Sequence, residues 1–258
     1  TANALTKNER DMSQAMERLS TGLRINSAGD DAAGLAISSR MTSQIKGLDM
    51  AVRNGKDAIS MLQTVDGALI EVTNMLQRMR ELAVQAANGS NSSTDRAALD
   101  VEFEALKAEV ERIVDNTQWN GSNLLNGLGA VAFQVGANAS QTISITLADF
   151  QTANGDEATG PLGDVDVDGD GDLTDSTSGV ASLDLTTASN HTAALHGLAS
   201  AIDNVNSQRA TIGSVINRLE YAVDNLANVS QNTSASRGRV LDADYASETT
   251  ELARAQII

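Results

Sequence analysis

Cysteine is absent from this chain of 258 residues, so neither a disulfide nor a thiolate-bound metal holds it together. Aromatic residues make up only 2 % of it. A compact enzyme core normally uses more large side chains, so thin, elongated packing by small residues fits better. Proline occurs once, as Pro161, inside the stretch poorest in apolar residues. No apolar run approaches the roughly 18 residues of a membrane-crossing helix, which speaks against membrane insertion. No cleavable signal peptide is evident, although the chain does not begin with Met. Basic residues are missing from one block: all 18 Lys and Arg lie in 1–112 and 209–258, while 113–208 carries 12 acids. The net charge of −16 is thus concentrated in the middle, a boundary signal that also excludes the basic face needed to bind nucleic acid.

Heptad periodicity fills the remainder. Leu48, Ala51, Gly55, Ala58, Leu62, Val65, Leu69, Val72, Leu76, Met79, Ala83 and Ala86 form a 3-4 seam, with Ile45, Val52 and Ile59 as a second row. The spacing predicts a helical rod over 44–87, roughly 65 Å long, which needs partners to be stable. Leu195, Leu198, Ile202, Val205, Arg209, Ile212, Ile216, Leu219, Val223, Leu226, Ser230 and Thr233 repeat the spacing over about 192–234, with looser packing expected at the polar positions. Two matched rods so far apart in sequence predict a mainly α, elongated antiparallel coiled-coil-like bundle.

In chain order, Leu5, Met12, Ala15, Met16 and Leu19 mark an amphipathic first helix. Gly22, Gly29 and Gly34 break helical continuity, so 1–43 reads as an N-terminal helix and connector. Neither end of the sequence carries a helix cap, so truncation at both ends is expected. Asn88-Gly89 ends the first rod, and Thr94 or Asp95 caps a third helix carrying Leu99, Phe103, Leu106, Val110 and Ile113. Residues 116–129 are turn-rich, and a β-hairpin spans 131–147. The helical rod domain therefore comprises 44–149 with 191–258. Residues 150–190 form a surface-exposed, loop-rich or β insertion.

Five segments resemble bacterial flagellin: Glu17 to Ile37, Leu76 to Gln85, Thr117 to Gly121, Gln134 to Asn138 and Ser236 to Ala246. They occur in the family's order. The resemblance implies a structural subunit of the flagellar filament, extracellular, secreted by the flagellar export apparatus and self-assembling for motility. Its partners would be other flagellin subunits, the export chaperone and the filament cap. It also implies that the terminal helices build the inner tube of the filament and that the paired rods form the next shell. Since much of the two terminal segments is absent, this chain alone is expected to stay monomeric. The family's epitope for the Toll-like receptor that senses flagellin matches Arg78, Leu82 and Glu102; the same residues also read as bundle packing and an ordinary ion pair. The near-complete signatures favour a filament subunit over a hook–filament junction protein.

The family does not explain residues 166–177. Asp166, Asp168 and Asp170 occupy positions 1, 3 and 5 of an EF-hand-like loop, with Gly171 at the sharp turn, Asp172 offering its carbonyl and Thr174 at position 9. Thr177 stands where a bidentate Glu belongs; Asp175 is the substitute. Six aspartates in 164–175 repel one another without a cation, so Ca2+ is the expected ligand, against a solvated acidic tip as the other reading. His191 and His196 lack any zinc-protease spacing and read as a helix-start residue and a partly exposed helix residue. With no phosphate loop or nucleophile elbow, the chain is not expected to be an enzyme. The alternative function is a flagellin-derived cell-surface protein binding an anionic polysaccharide or host ligand.

Overall fold

A computed structural model describes residues 2–152, 160–163, 165 and 179–257. The helices are α1 (Ala2–Thr21), α2 (Ala32–Ala86), α3 (Ser93–Asn116), α4 (Ala188–Leu241) and α5 (Tyr245–Ile257). The strands are β1 (Gln118–Trp119), β2 (Ser122–Asn123), β3 (Gly129–Gln134) and β4 (Thr142–Leu147), and Val180–Ser182 forms a 3-10 turn. The chain divides into two compact units, here called the end unit (Thr1–Arg53, Val135–Gln141 and Ala222–Ile258) and the middle unit (Asn54–Gln134 and Thr142–Tyr221).

In the end unit, α1 packs on α5. Arg18 Nη1 meets Glu248 Oε1 at 3.0 Å, and Asn8 Nδ2 donates to the Ala255 carbonyl at 2.8 Å. Among the described side chains of these two helices, Ala15 and Ala255 are the buried ones. Ser230 Oγ of α4 donates to Asp49 Oδ1 of α2 at 2.7 Å, and Arg237 Nη1 donates to Thr42 Oγ1 at 3.3 Å. As the residue number rises on one helix it falls on the other, so α2 and α4 run antiparallel here, as the matched seams predict.

The connector expected over 20–43 is shorter than its glycines suggested, and α2 begins at Ala32 rather than near residue 44. Asp31 is the reason: its Oδ1 accepts from the Gly34 N–H at 2.8 Å, satisfying a donor that a helix start leaves orphaned. Gly34 serves close packing instead of breaking the helix. A Cβ there would sit 2.6 Å from Ile25 Cδ1 and 2.5 Å from the Asp31 carboxylate.

The middle unit holds the denser core. All twelve positions of the first seam, from Leu48 to Ala86, are buried, and those from Gly55 onward belong to this unit. Arg209 of α4, the basic seam position, is bonded through Nε to Asp66 Oδ1 of α2 at 2.8 Å. Ser92 caps α3: its Oγ accepts from the Asp95 N–H while Asp95 Oδ2 accepts from the Ser92 N–H. The expected caps, Thr94 and Asp95, thus lie inside the first turn, because Ser-x-x-Asp closes a reciprocal capping box that neither makes alone.

The turn-rich stretch contains a tight hairpin of β1 and β2. Its tip residues Asn120 (φ 49°) and Gly121 (φ 81°) have the left-handed conformations that suit Asn-Gly in a two-residue turn. β3 and β4 pair antiparallel from Gly129↔Leu147 to Gln134↔Thr142, which places Ile145 and Leu147 in the core. The few apolar residues at the described ends of the 150–190 insertion are also buried: Phe150, Leu162, Val165, Val180, Leu183 and Leu185.

Candidate functional site

The helical period sorts Leu76 to Gln85 into an inner and an outer face. Met79, Leu82 and Ala83 point inward, and Leu82 is 1 % exposed. Arg78 and Glu81, three apart, share the outer face. Arg78 Nη1 donates to Glu81 Oε2 and Nε to Glu102 Oε1 of α3, both at 2.9 Å. The Glu81 bond, then the Glu102 bond and charge, raise the Arg78 guanidinium above its ordinary value, so it is a permanent cation. Val84 (57 % exposed) and Val101 (73 % exposed) remain open on the same two helices. Gln77, Arg80, Glu81, Val84 and Ile202 line a shallow groove. The structure therefore joins Arg78 to Glu102 as a surface ion pair and keeps Leu82 in the core. That face offers charge and small apolar side chains for docking, with no nucleophile–base arrangement.

A second polar cluster escaped the sequence reading. Lys107 is 8 % exposed, and its Nζ donates to the carbonyls of Ala181 (2.9 Å) and Leu183 (2.8 Å) and pairs with Glu104 Oε1 at 2.6 Å. Three partners use all three ammonium donors. Asp100 Oδ1 accepts from the Leu185 N–H at 2.9 Å. His191 is buried, and its Nε2 lies 2.8 Å from the Leu185 carbonyl; a carbonyl only accepts, so Nε2 carries a proton. Glu111 accepts from both the N–H and the hydroxyl of Thr152. Both described ends of the insertion are thus fastened to α3. The signal was present: Phe103, Lys107, Val110 and Val114 share one 4-3-4 stripe, and they are the residues α3 buries. Reading Leu106 as the seam position passed over Lys107.

Near this cluster, burial works to raise the Asp184 pKa. Bonds from Asn190 and Thr186, with the Lys107 charge, outweigh it and hold the carboxyl below its ordinary value. His196 is an exposed residue of α4. The proposed calcium ligands Asp166, Asp168, Asp170, Asp172, Thr174 and Asp175 lie outside the described residues. Among the described residues no group of three His, Cys, Asp or Glu is arranged to hold a metal, and no helix is long and apolar enough to cross a membrane.

Comparison with known proteins gives the family. The model of the bacterial flagellin N-terminal helical region matches residues 1–130, and that of the C-terminal helical region matches residues 195–258. The chain belongs to the bacterial flagellin family. A flagellin of Halalkalibacterium halodurans is 43 % identical over 246 residues, spanning 95 % of this chain and 83 % of that protein. A flagellin of Bacillus subtilis is 40 % identical, spanning 100 % and 89 %. The crystal structure of Bacillus cereus flagellin superposes with a TM-score of 0.52 at 30 % identity, covering 72 % of this chain and 94 % of that one. A putative flagellar hook-associated protein from Vibrio parahaemolyticus, at 15 % identity and a TM-score of 0.62, shares the fold. Flagellins are structural proteins, and this family member is not an enzyme.

Proposed function

We propose that the chain is a structural subunit of an extracellular bacterial flagellar filament, built by self-assembly for motility. The observation that carries this reading is that both terminal helical regions match the flagellin family while the heptad seam of the N-terminal region is fully buried. Burial of the seam holds the helices of each unit together, and the open helical faces are left for other subunits. The test is complementation. The chain replaces the corresponding residues of the flagellin of a motile bacterium. Filaments containing it are expected; export without filaments overturns the reading.

The finer partners belong to the same reading: an export chaperone, the filament cap and the Toll-like receptor for flagellin. The exposed Arg78–Glu102 pair supports a receptor-facing surface, with Leu82 acting through packing. A reporter-cell response that falls with Arg78→Ala at unchanged helicity supports receptor recognition, and equal responses oppose it. Calcium at 166–175 rests on residue spacing alone. Saturable calorimetric binding lost in Asp168→Ala is expected, and absence of binding heat with an unchanged melting curve in the intact chain overturns it.

A further inference from the structure

We propose that Asn88-Gly89, in the turn after α2, is the spontaneous modification site of this protein, converting Asn88 to a mixture of aspartate and isoaspartate without any enzyme. The Gly89 backbone nitrogen attacks the Asn88 side-chain carbon Cγ and forms a five-membered succinimide. The Nδ2 group leaves as ammonia. Water then opens the ring at either carbonyl, giving aspartate or isoaspartate. The balance is one water consumed and one ammonia released, with no oxidant or cofactor.

The sequence holds five Asn-Gly pairs, at 54, 88, 120, 126 and 154, the last outside the described residues. The four described pairs differ in what restrains them. Asn54-Gly55 lies inside α2, where the Gly55 N–H belongs to the helical ladder and Gly55 itself is buried; Asn54 Nδ2 also donates to the Gln134 carbonyl. Asn126 is held by its Nδ2 bond to Asp115 Oδ1 at 3.2 Å. Asn120 forms the hairpin tip at φ 49°, locked by the β1–β2 pairing on either side.

Asn88 has none of these restraints. Asn88 and Gly89 are both exposed, and a Cβ added at Gly89 would meet nothing within 4 Å. The Asn88 side chain is held at its oxygen instead: the Ser90 N–H donates to Oδ1 at 3.3 Å. Attack at Cγ places negative charge on that oxygen, and a donor is already aimed at it, as in an oxyanion hole. The bond also leaves Nδ2 free to depart.

The product alters the turn it forms in. The Asn88 N–H bonds to the Gln85 carbonyl at 3.2 Å, and the Asn88 carbonyl accepts from the Asn91 N–H at 3.1 Å. An isoaspartate routes the backbone through the former side chain and disrupts both. Either product puts a carboxylate by the C-terminal end of α2, where the helix dipole disfavours negative charge. The turn lies next to the Ser92 capping box that starts α3, so ageing would loosen the α2–α3 corner first.

The test is to incubate the intact chain at mildly alkaline pH, digest it, and follow each Asn-Gly peptide by mass spectrometry and isoaspartate detection. Asn88 should convert about tenfold or more faster than Asn54, whose helix must first open. It should also lead Asn120 and Asn126. Gly89→Ala, for which the site has room, should slow conversion at Asn88 while leaving the other three rates and the helicity unchanged. Asn88 converting no faster than Asn54 or Asn126, or unaffected by Gly89→Ala, overturns the proposal.

Discussion

The two compact units are built from similar helices but from different cores. Among the described residues, all twelve of the largest fully buried side chains, Phe103, Phe150, Leu62, Leu76 and Leu185 among them, lie in the middle unit. The end unit buries Ala15, Ile25, Ile45, Leu48, Ala51, Val223 and Ala255, each retaining 2–9 % exposure. Fully burying a large apolar side chain stabilises by roughly 1.5–3 kcal/mol, so the middle unit is held by its own interior. The end unit relies on less completely buried side chains and on polar ties such as Arg18–Glu248. A chain that must be stable by itself in one part and open to partners in another can divide its large side chains in this way.

Four measurements press on that contrast. Phe103→Ala should cost the middle unit about 3–5 kcal/mol, read from denaturant unfolding, because it empties a site with no exposure. An effect as small as that of Ala15→Gly would break the comparison. Lys107→Met should cost roughly 2–4 kcal/mol and speed amide exchange at 180–185, since two carbonyls lose a charged donor. Arg209→Met should cost about 0.2–1 kcal/mol, because the Asp66 pair is about one-third exposed. Arg78→Ala should leave the unfolding midpoint nearly unchanged, because that ion pair is about half exposed, so any functional loss there reports recognition.

A pH series sharpens the contrast further. The folded Asp184 pKa lies below its unfolded value, so its contribution is present above the unfolded pKa. It is lost as pH falls from the ordinary carboxylate range through the folded value. In acid the middle unit should therefore weaken more in the wild type than in Asp184→Asn, as followed by thermal melting. Equal acid sensitivity would show that the Asn190 and Thr186 bonds do not favour the charged form.

Much of this was legible in the residues. Periodicity marks all twelve buried positions of the first seam, and the hairpin strands and the antiparallel pairing of α2 with α4 follow from alternation and matched period. On α4, however, choosing the larger side chain at each step of the period misplaces the seam by one residue in places. Leu195, Ile202 and Ile216 are only half-buried, while their smaller neighbours Ala194, Ala201 and Val215 are buried. Periodicity tolerates either choice, because adjacent residues differ by about 100° around the helix and a small side chain lets the partner approach closely. Lys107 escapes the pattern for a related reason: a lysine in an apolar stripe makes sense only when carbonyls distant in sequence are brought to it.

Sequence by itself determined the helical period, the capping and turn chemistry, the charge asymmetry and the family, since each depends on residues close together or on a linear pattern. Tertiary structure decided which face of α4 turns inward, that Leu82 is packed away while Arg78 and Glu102 meet, and that the ends of the insertion are fastened to α3. Those outcomes depend on contacts between residues tens of positions apart, whose energies exist only once the helices are side by side.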